Sequence, residues 1–371
     1  MVIITQIKPA ADAEASVAFH YPDKTENKTE IGPDDVLVSF LRSPINPQDL
    51  LVIAGKYPVK PSYTQEDQPV LGYDGVARVE AVGPIQPSSS GTTSARLQPG
   101  DLVIPRRHGL GTWRSQAILS QSDVIRLSPT EDLIGASLLR MAFLPAYLLV
   151  QDMRELKPGD WIVQNAGSST IARLVAQFAK LKGVHTCSVV RGRSENALES
   201  LKQELRNEGA DMVITQTELA EKGSAAHPAL ADAATQGRIV LALDAVFGEP
   251  GQQLAQVLSH GGTYVNYGSL GGSNATLALS QRLLFWSEVK FRNFRLSEQL
   301  NKRTQSEQES LLLWFQELLA RKLVQTPKVQ TIRVPTESSS RAEFEKHVKE
   351  AIAVAKSDKV GSVKQVLEFS G

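Results

Sequence analysis

From about residue 146 the sequence alternates short β-branched runs with helix-period segments, and no other feature constrains the fold as strongly. "GDWIVQN" reads as a strand, "STIARLVAQFAKLKG" as a helix with apolar residues at helical spacing, "VHTCSVV" as a strand and "ALESLKQELRNEGAD" as a helix. "DMVIT", "GRIVLALDAV", the helix "GEPGQQLAQVLSHGG" and the strand "TYVNYGS" continue the series. Alternation at this period gives an α/β fold, a doubly wound parallel sheet with helices on both faces.

Ahead of it the text is different. "DDVLVSFLRSPI", "DGVARVEAVGPI" and "GDLVIPRR" are apolar, β-branched runs punctuated by Pro and Gly, which predicts an irregular all-β barrel. "QPSSSGTTSARLQPGD" between them reads as a polar surface loop. Two domains follow, 1–145 completed by 300–371, and 146–299. Leu311, Trp314, Phe315, Leu318 and Leu319 share a predicted core-facing helical stripe. A last helix carries Phe344, Val348 and Ile352 before the closing strand "KQVLEF".

With 371 residues, 42% of them hydrophobic, the chain can bury sizeable cores. Forty basic and forty acidic residues cancel, so no bulk field favours nucleic acid or an anionic membrane. No apolar run approaches the ~20 residues of a membrane helix. A single cysteine, Cys187, rules out a disulfide framework and a thiolate zinc site. "MVIITQIKPAADAEASV" lacks the marks of a secretory signal or a transit peptide and reads as a first strand.

A strand ending in Gln164-Asn165, the small-residue turn "AGSS" and then a helix can set backbone N–H groups and a positive helix end against a pyrophosphate. Thr170 and Ala172 stand where a Gly-rich fingerprint has glycines, so the turn also reads as a plain serine-capped helix start. The hydroxyls of Ser168, Ser169 and Thr170 suit phosphate oxygens. The next strand ends in "VVRGRSE", with Arg191 and Arg193 where an NAD site would have a carboxylate for the ribose 2′-hydroxyl. They read either as surface arginines or as partners of a 2′-phosphate, and the second reading favours NADPH over NADH. Tyr267, Gly268 and Ser269 end a later strand on the same carboxyl edge, as a nicotinamide-side approach or as a strand end only.

"SPINPQDLLVIAGKYPVKP", "VLGYDGVARVEAVG", "GDLVIP", "GTWRSQAIL", "LKPGDWIVQNAGSS", "SVVRGR" and "KQVLEF" together resemble the mitochondrial trans-2-enoyl-CoA or acyl-carrier-protein reductases, the fungal ones in particular. These are zinc-free medium-chain dehydrogenase/reductases. The resemblance runs across nearly the whole chain. It implies a GroES-like β-rich catalytic domain and a Rossmann domain, which together reduce trans-2-enoyl thioesters with NADPH. Metal ligands are not expected: Asn46 stands near a cysteine ligand of the zinc alcohol dehydrogenases and "GYDG" where they have Gly-His-Glu, and the six histidines lack ligand spacing. His108 reads as a loop residue.

The resemblance makes Tyr57 of "GKYP" the proton donor. A phenol with an ordinary pKa of ~10 is protonated at neutral pH and can donate; Lys56 and Lys60 flank it and could favour its phenolate or attract an acidic carrier. The resemblance further implies NADPH contacts at Ser168, Ser169, Thr170 and Ile171, at Arg191 and Arg193, at Tyr267, Gly268, Ser269 and Leu270, at Phe294, Arg295 and Leu296, and at Lys364, the last if the C-terminus folds back on the first domain. It implies an enoyl-CoA or enoyl-acyl-carrier-protein substrate, a homodimer through an edge strand near 263–280, and the mitochondrial matrix, with the cytosol open. Ala142 departs from the usual asparagine and Arg295 from the usual tryptophan. A zinc-free quinone or enone reductase, or an NADPH-binding protein impaired in catalysis, are the competing readings.

Overall fold

The computed structural model describes residues 1–8, 16–22, 30–84, 96–272, 274–356 and 363–369. Most of the polar loop "QPSSSGTTSARLQPGD" and part of the N-terminal stretch lie outside them. The chain divides into two compact units: Met1–Met141 with Leu312–Glu317 and Lys328–Gly371, and Ala142–Leu311 with Leu318–Pro327.

The first unit is organised by one long strand, Asp35–Pro44. Val76–Val82 pairs along one edge, while Gln116–Ser120 and Lys364–Glu368 share the other, the first against residues 35–39 and the second against 42–44. All three pairings are antiparallel, and Val329–Arg333 joins Lys364–Glu368 in parallel. The C-terminus therefore does fold back on the first domain. Alternating burial of Val36, Val38 and Phe40 puts one face of the long strand into a core that also holds Tyr73, Trp113, Phe344, Val348 and Ile352.

The second unit holds six parallel strands: β1 (Trp161–Gln164), β2 (His185–Val190), β3 (Met212–Thr215), β4 (Ile239–Asp244), β5 (Thr263–Asn266) and β6 (Lys290–Asn293). Their order is β3-β2-β1-β4-β5-β6, the doubly wound order whose direction reverses between β1 and β4. Nearly every residue of β1, β3 and β4 is buried, as strands covered on both faces must be. The sheet's edges are β3 and β6, whereas β5 lies inside it, so the expected edge strand near 263–280 is misplaced.

Two helical expectations need correcting. In the helix Gln305–Ala320 the expected Phe315 and Leu318 are buried, but Leu312 joins them in place of Leu311, and Leu311, Trp314 and Leu319 are only half-buried. The run Leu133–Asp152 is 20 residues long with mean hydropathy 1.8, so it does meet the length and composition of a membrane helix, although 83% of its most apolar stretch is buried inside the protein. Such burial is how a core helix passes that test. The run is not uniform: Leu139–Phe143 forms a wider turn ahead of Pro145, whose ring would crowd the carbonyl four residues back in a regular helix.

Candidate active and cofactor sites

Helix Pro47–Ile53 begins where the long strand ends, and it brings polar groups into the first unit's interior. Pro47 opens the helix, and the Asp49 carboxylate accepts from the Asn46 N–H at 2.7 Å. Lys364 Nζ donates to the Ile45 carbonyl at 2.8 Å and to the Asn46 side-chain oxygen. Asp49 and Asp74 are buried, and both carry an oxygen without a hydrogen-bond partner among the described residues. Burial pushes each carboxyl up to about 7, against the pull of Lys364 on both and of Arg140 on Asp74. The same burial pulls Lys364 down to about 8, offset by Asp49 and then Asp74.

Tyr57 follows the helix, its ring edge-on to Tyr73 with centroids 5.6 Å apart and to His108 at 6.3 Å. Tyr73 spends its hydroxyl on the Val59 carbonyl at 2.6 Å. The Tyr57 hydroxyl has no hydrogen-bond partner among the described residues, which leaves its proton available to a ligand. Burial raises its pKa, Arg140 opposes and Asp49 adds to the rise, so it is a protonated phenol at neutral pH. The cation that bears on it is Arg140; Lys56 and Lys60 are exposed. His108 does lie in a bend, yet its ring packs on both tyrosines. Arg140 and His108 are the residues the sequence reading missed or discounted. An arginine inside an otherwise apolar run was the available signal, because a charge is buried at such a cost only for a reason.

In the second unit the strand-to-helix turn is drawn tight. A side chain on Gly167 would meet Ser188 Cβ at 2.8 Å, and Ala166 sits at φ 47°, a left-handed conformation that L-residues rarely adopt. Ser169 caps the helix Thr170–Leu181 by accepting from the Ala172 N–H at 3.3 Å. Ser168, Ser169, Thr170 and Ile171 thus line the first turn at the carboxyl end of β1. Arg191 and Arg193 follow β2 directly. Arg193 is held below its ordinary range by partial burial and by Arg191 and Arg173, a crowding of cations that an anion would relieve.

Tyr267, Gly268, Ser269 and Leu270 leave β5 across the end of β4. Tyr267 N–H donates to Asp244 O at 2.9 Å and Leu270 N–H to Ala245 O at 3.0 Å. A side chain on Gly268 would strike Ala245 O at 2.6 Å, so the segment can run this close only as glycine. The Tyr267 hydroxyl is buried close to Ser169, which favours its ionised form, yet it has no hydrogen-bond partner of normal geometry among the described residues. That orphaned group fits a polar ligand at the turn. Phe294, Arg295 and Leu296 follow β6, with Arg295 exposed and paired to Glu298 at 3.3 Å. Lys364 belongs to the first unit, where its amine is engaged as described. Among the described residues no group of three or more His, Cys, Asp or Glu gathers as a metal site would need.

A β-rich unit and a six-stranded doubly wound unit define a medium-chain dehydrogenase/reductase. Residues 32–129 match the alcohol dehydrogenase GroES-like domain. The chain is 33% identical over 86% of its length, and 85% of the relative, to the mitochondrial enoyl-(acyl-carrier-protein) reductase of Xenopus tropicalis. It superposes with TM-score 0.82 on the mitochondrial 2-enoyl thioester reductase Etr1p/Etr2p heterodimer of Candida tropicalis, at 24% identity over 99% of both chains. The Etr1p complex with NADP and crotonyl-CoA gives TM-score 0.83 at 23% identity, again over 99% of both. The chain belongs to the enoyl-(acyl-carrier-protein) reductase family.

Proposed function

We infer that the protein reduces trans-2-enoyl thioesters with NADPH, the last reductive step of fatty acid synthesis of the mitochondrial type. The observation that carries this is the free, protonated hydroxyl of Tyr57 in a chain of this family. Bound NADPH supplies the hydride that reaches C3. The chain's own residues do the rest. Electrons displaced from the C2–C3 double bond move toward the thioester oxygen, and C2 then takes the Tyr57 proton, leaving a phenolate that water reprotonates. Burial keeps the phenol protonated until that moment.

The second unit's residues suit the cofactor. Ser168, Ser169, Thr170 and Ile171 would hold the pyrophosphate, and Tyr267 to Leu270 with Phe294, Arg295 and Leu296 the nicotinamide end. Arg191 and Arg193 would meet the 2′-phosphate, which favours NADPH over NADH. Lys364 would contribute its amine if it turns from Asn46 to the cofactor. The substrate carrier is coenzyme A or acyl carrier protein. A homodimer through β6 is supported by the exposed Phe285 and Trp286 that precede it, 66% and 68% accessible. Mitochondrial residence follows the named location of the relatives.

Mixed with NADPH and a trans-2-enoyl-CoA, the purified protein is expected to consume NADPH, and to do so faster than with simple quinones. Faster turnover of quinones would make it a quinone reductase. Tight NADPH binding with no turnover of any enoyl thioester would make it a protein impaired in catalysis.

A further inference from the structure

We propose that His108 is a second catalytic donor, its Nε2–H hydrogen-bonding the thioester oxygen while Tyr57 protonates C2, and that Arg140 is the residue that positions it. This rests on the enoyl-reductase reading above.

The argument begins with Arg140. The residue is 4% exposed, and the carboxyl that acts on its charge is Asp74, which makes no hydrogen-bonded ion pair with it among the described residues. A guanidinium buried with no carboxylate hydrogen-bonded to it is costly, and its N–H groups have to be held by what surrounds them. Here it is spent on the His108 loop. Nε donates to the Arg106 carbonyl at 3.1 Å, and Nη1 reaches His108 Nδ1 at 3.4 Å and Met141 Sδ at 3.2 Å. The wider turn Leu139–Phe143 carries Arg140 at this place, the kind of local irregularity that helices show at functional positions.

An arginine has no acceptor to offer, so His108 Nδ1 must accept and the ring proton must sit on Nε2. Burial, with Arg140 second, lowers His108 to about 3, so the ring stays neutral and keeps that one proton. Nε2 has no protein partner among the described residues, and neither has the Tyr57 hydroxyl. Two free donors therefore sit on rings whose centroids are 6.3 Å apart. That spacing lets them address two nearby atoms of one ligand, and the oxygen and C2 of a thioester are two such atoms.

The step balances. As hydride bonds to C3, the double-bond pair shifts to C1–C2 and the carbonyl pair to oxygen, where the His108 N–H stabilises the charge without giving up its proton. The pair then returns to the carbonyl as C2 bonds the Tyr57 proton. A neutral imidazole suits this role because it donates a hydrogen bond and is too weak an acid to be consumed.

The test compares His108→Ala, His108→Gln, Arg140→Met and the His108→Ala/Arg140→Met double variant in steady-state kinetics with NADPH and a trans-2-enoyl-CoA. Loss of one oxyanion donor is expected to lower kcat for His108→Ala by about 100-fold, with KM and NADPH affinity within about threefold. His108→Gln, which keeps an amide donor, should recover about tenfold of that loss. Arg140→Met should match His108→Ala, and the double variant should be no worse than either. A His108→Ala enzyme within about threefold of wild-type kcat overturns the donor role, and additive losses overturn the positioning role. Should Arg140→Met not fold, the His108→Ala and His108→Gln pair decides. A wild-type protein inactive on every enoyl thioester defeats the functional reading itself, whereas an active wild type with an equally active His108→Ala defeats this proposal alone.

Discussion

The two compact units keep their charges in opposite ways. In the second, the groups suited to a ligand are at a sheet edge: Arg191 is exposed, Arg193 half-buried, and the backbone of a tight turn is laid open at a helix start. In the first, Asn46, Asp49, Asp74, Arg140 and the Lys364 amine are buried, and the four ionisable ones are shifted first by their own burial and then by neighbouring charge. An edge site can bind and release a large anion without touching the stability of its unit. A buried polar cluster cannot be altered so freely, because its charges are desolvated and act on one another at low dielectric.

The largest effect that would break this contrast is at Lys364. Replacing it with Met removes the amine that donates to Asn46 and the Ile45 carbonyl and whose charge favours ionised Asp49 and Asp74, and denaturant unfolding should show a loss of about 3 kcal/mol, the upper scale of a charge-assisted hydrogen bond. An unchanged midpoint would mean that the amine stabilises nothing. Arg193→Ala should do the reverse. Loss of a charge-assisted contact worth about 1.5–3 kcal/mol should weaken NADPH binding by roughly 10- to 100-fold in a fluorescence titration, leave NADH binding within about threefold, and leave unfolding unchanged. Equal losses for both dinucleotides would remove the 2′-phosphate from the account.

A smaller effect concerns pH. Asp74 has its native pKa raised to about 7, above the ordinary 3.9 or so of the unfolded chain, so the native state holds a proton that the unfolded state has released. Its contribution is full below about pH 4 and is lost as pH rises through 7. Wild-type stability should therefore decline between pH 5 and 7, and Asp74→Asn should remove up to about 1.4 kcal/mol per pH unit of that slope. Parallel curves for the two proteins would contradict the raised carboxyl.

The same contrast explains what could be read in the sequence. The strand–turn–helix at 161–181 and the "VVRGR" that follows β2 are local, so periodicity and turn residues expose them. The buried cluster is assembled from residues 46, 49, 74, 108, 140 and 364, and no window contains it. His108 reads as a loop residue because it is one; what matters is that Arg140, 32 positions away, donates to it. On helix Gln305–Ala320 the pattern finds Phe315 and Leu318 but takes Leu311 for Leu312, because the two leucines are interchangeable to a hydrophobicity pattern and only packing selects Leu312. The run Leu133–Asp152 is misjudged by length for a related reason: Arg140 interrupts it in the sequence, while the fold keeps it one buried helical segment.

The central claim is that Tyr57 delivers the proton that completes reduction. Tyr57→Phe keeps the ring packed against Tyr73 and His108 and removes only the hydroxyl. With NADPH and a trans-2-enoyl-CoA its kcat should fall by about 100-fold or more while NADPH affinity is unchanged, the loss expected of a general acid. A Tyr57→Phe enzyme that oxidises NADPH as fast as wild type would contradict the account.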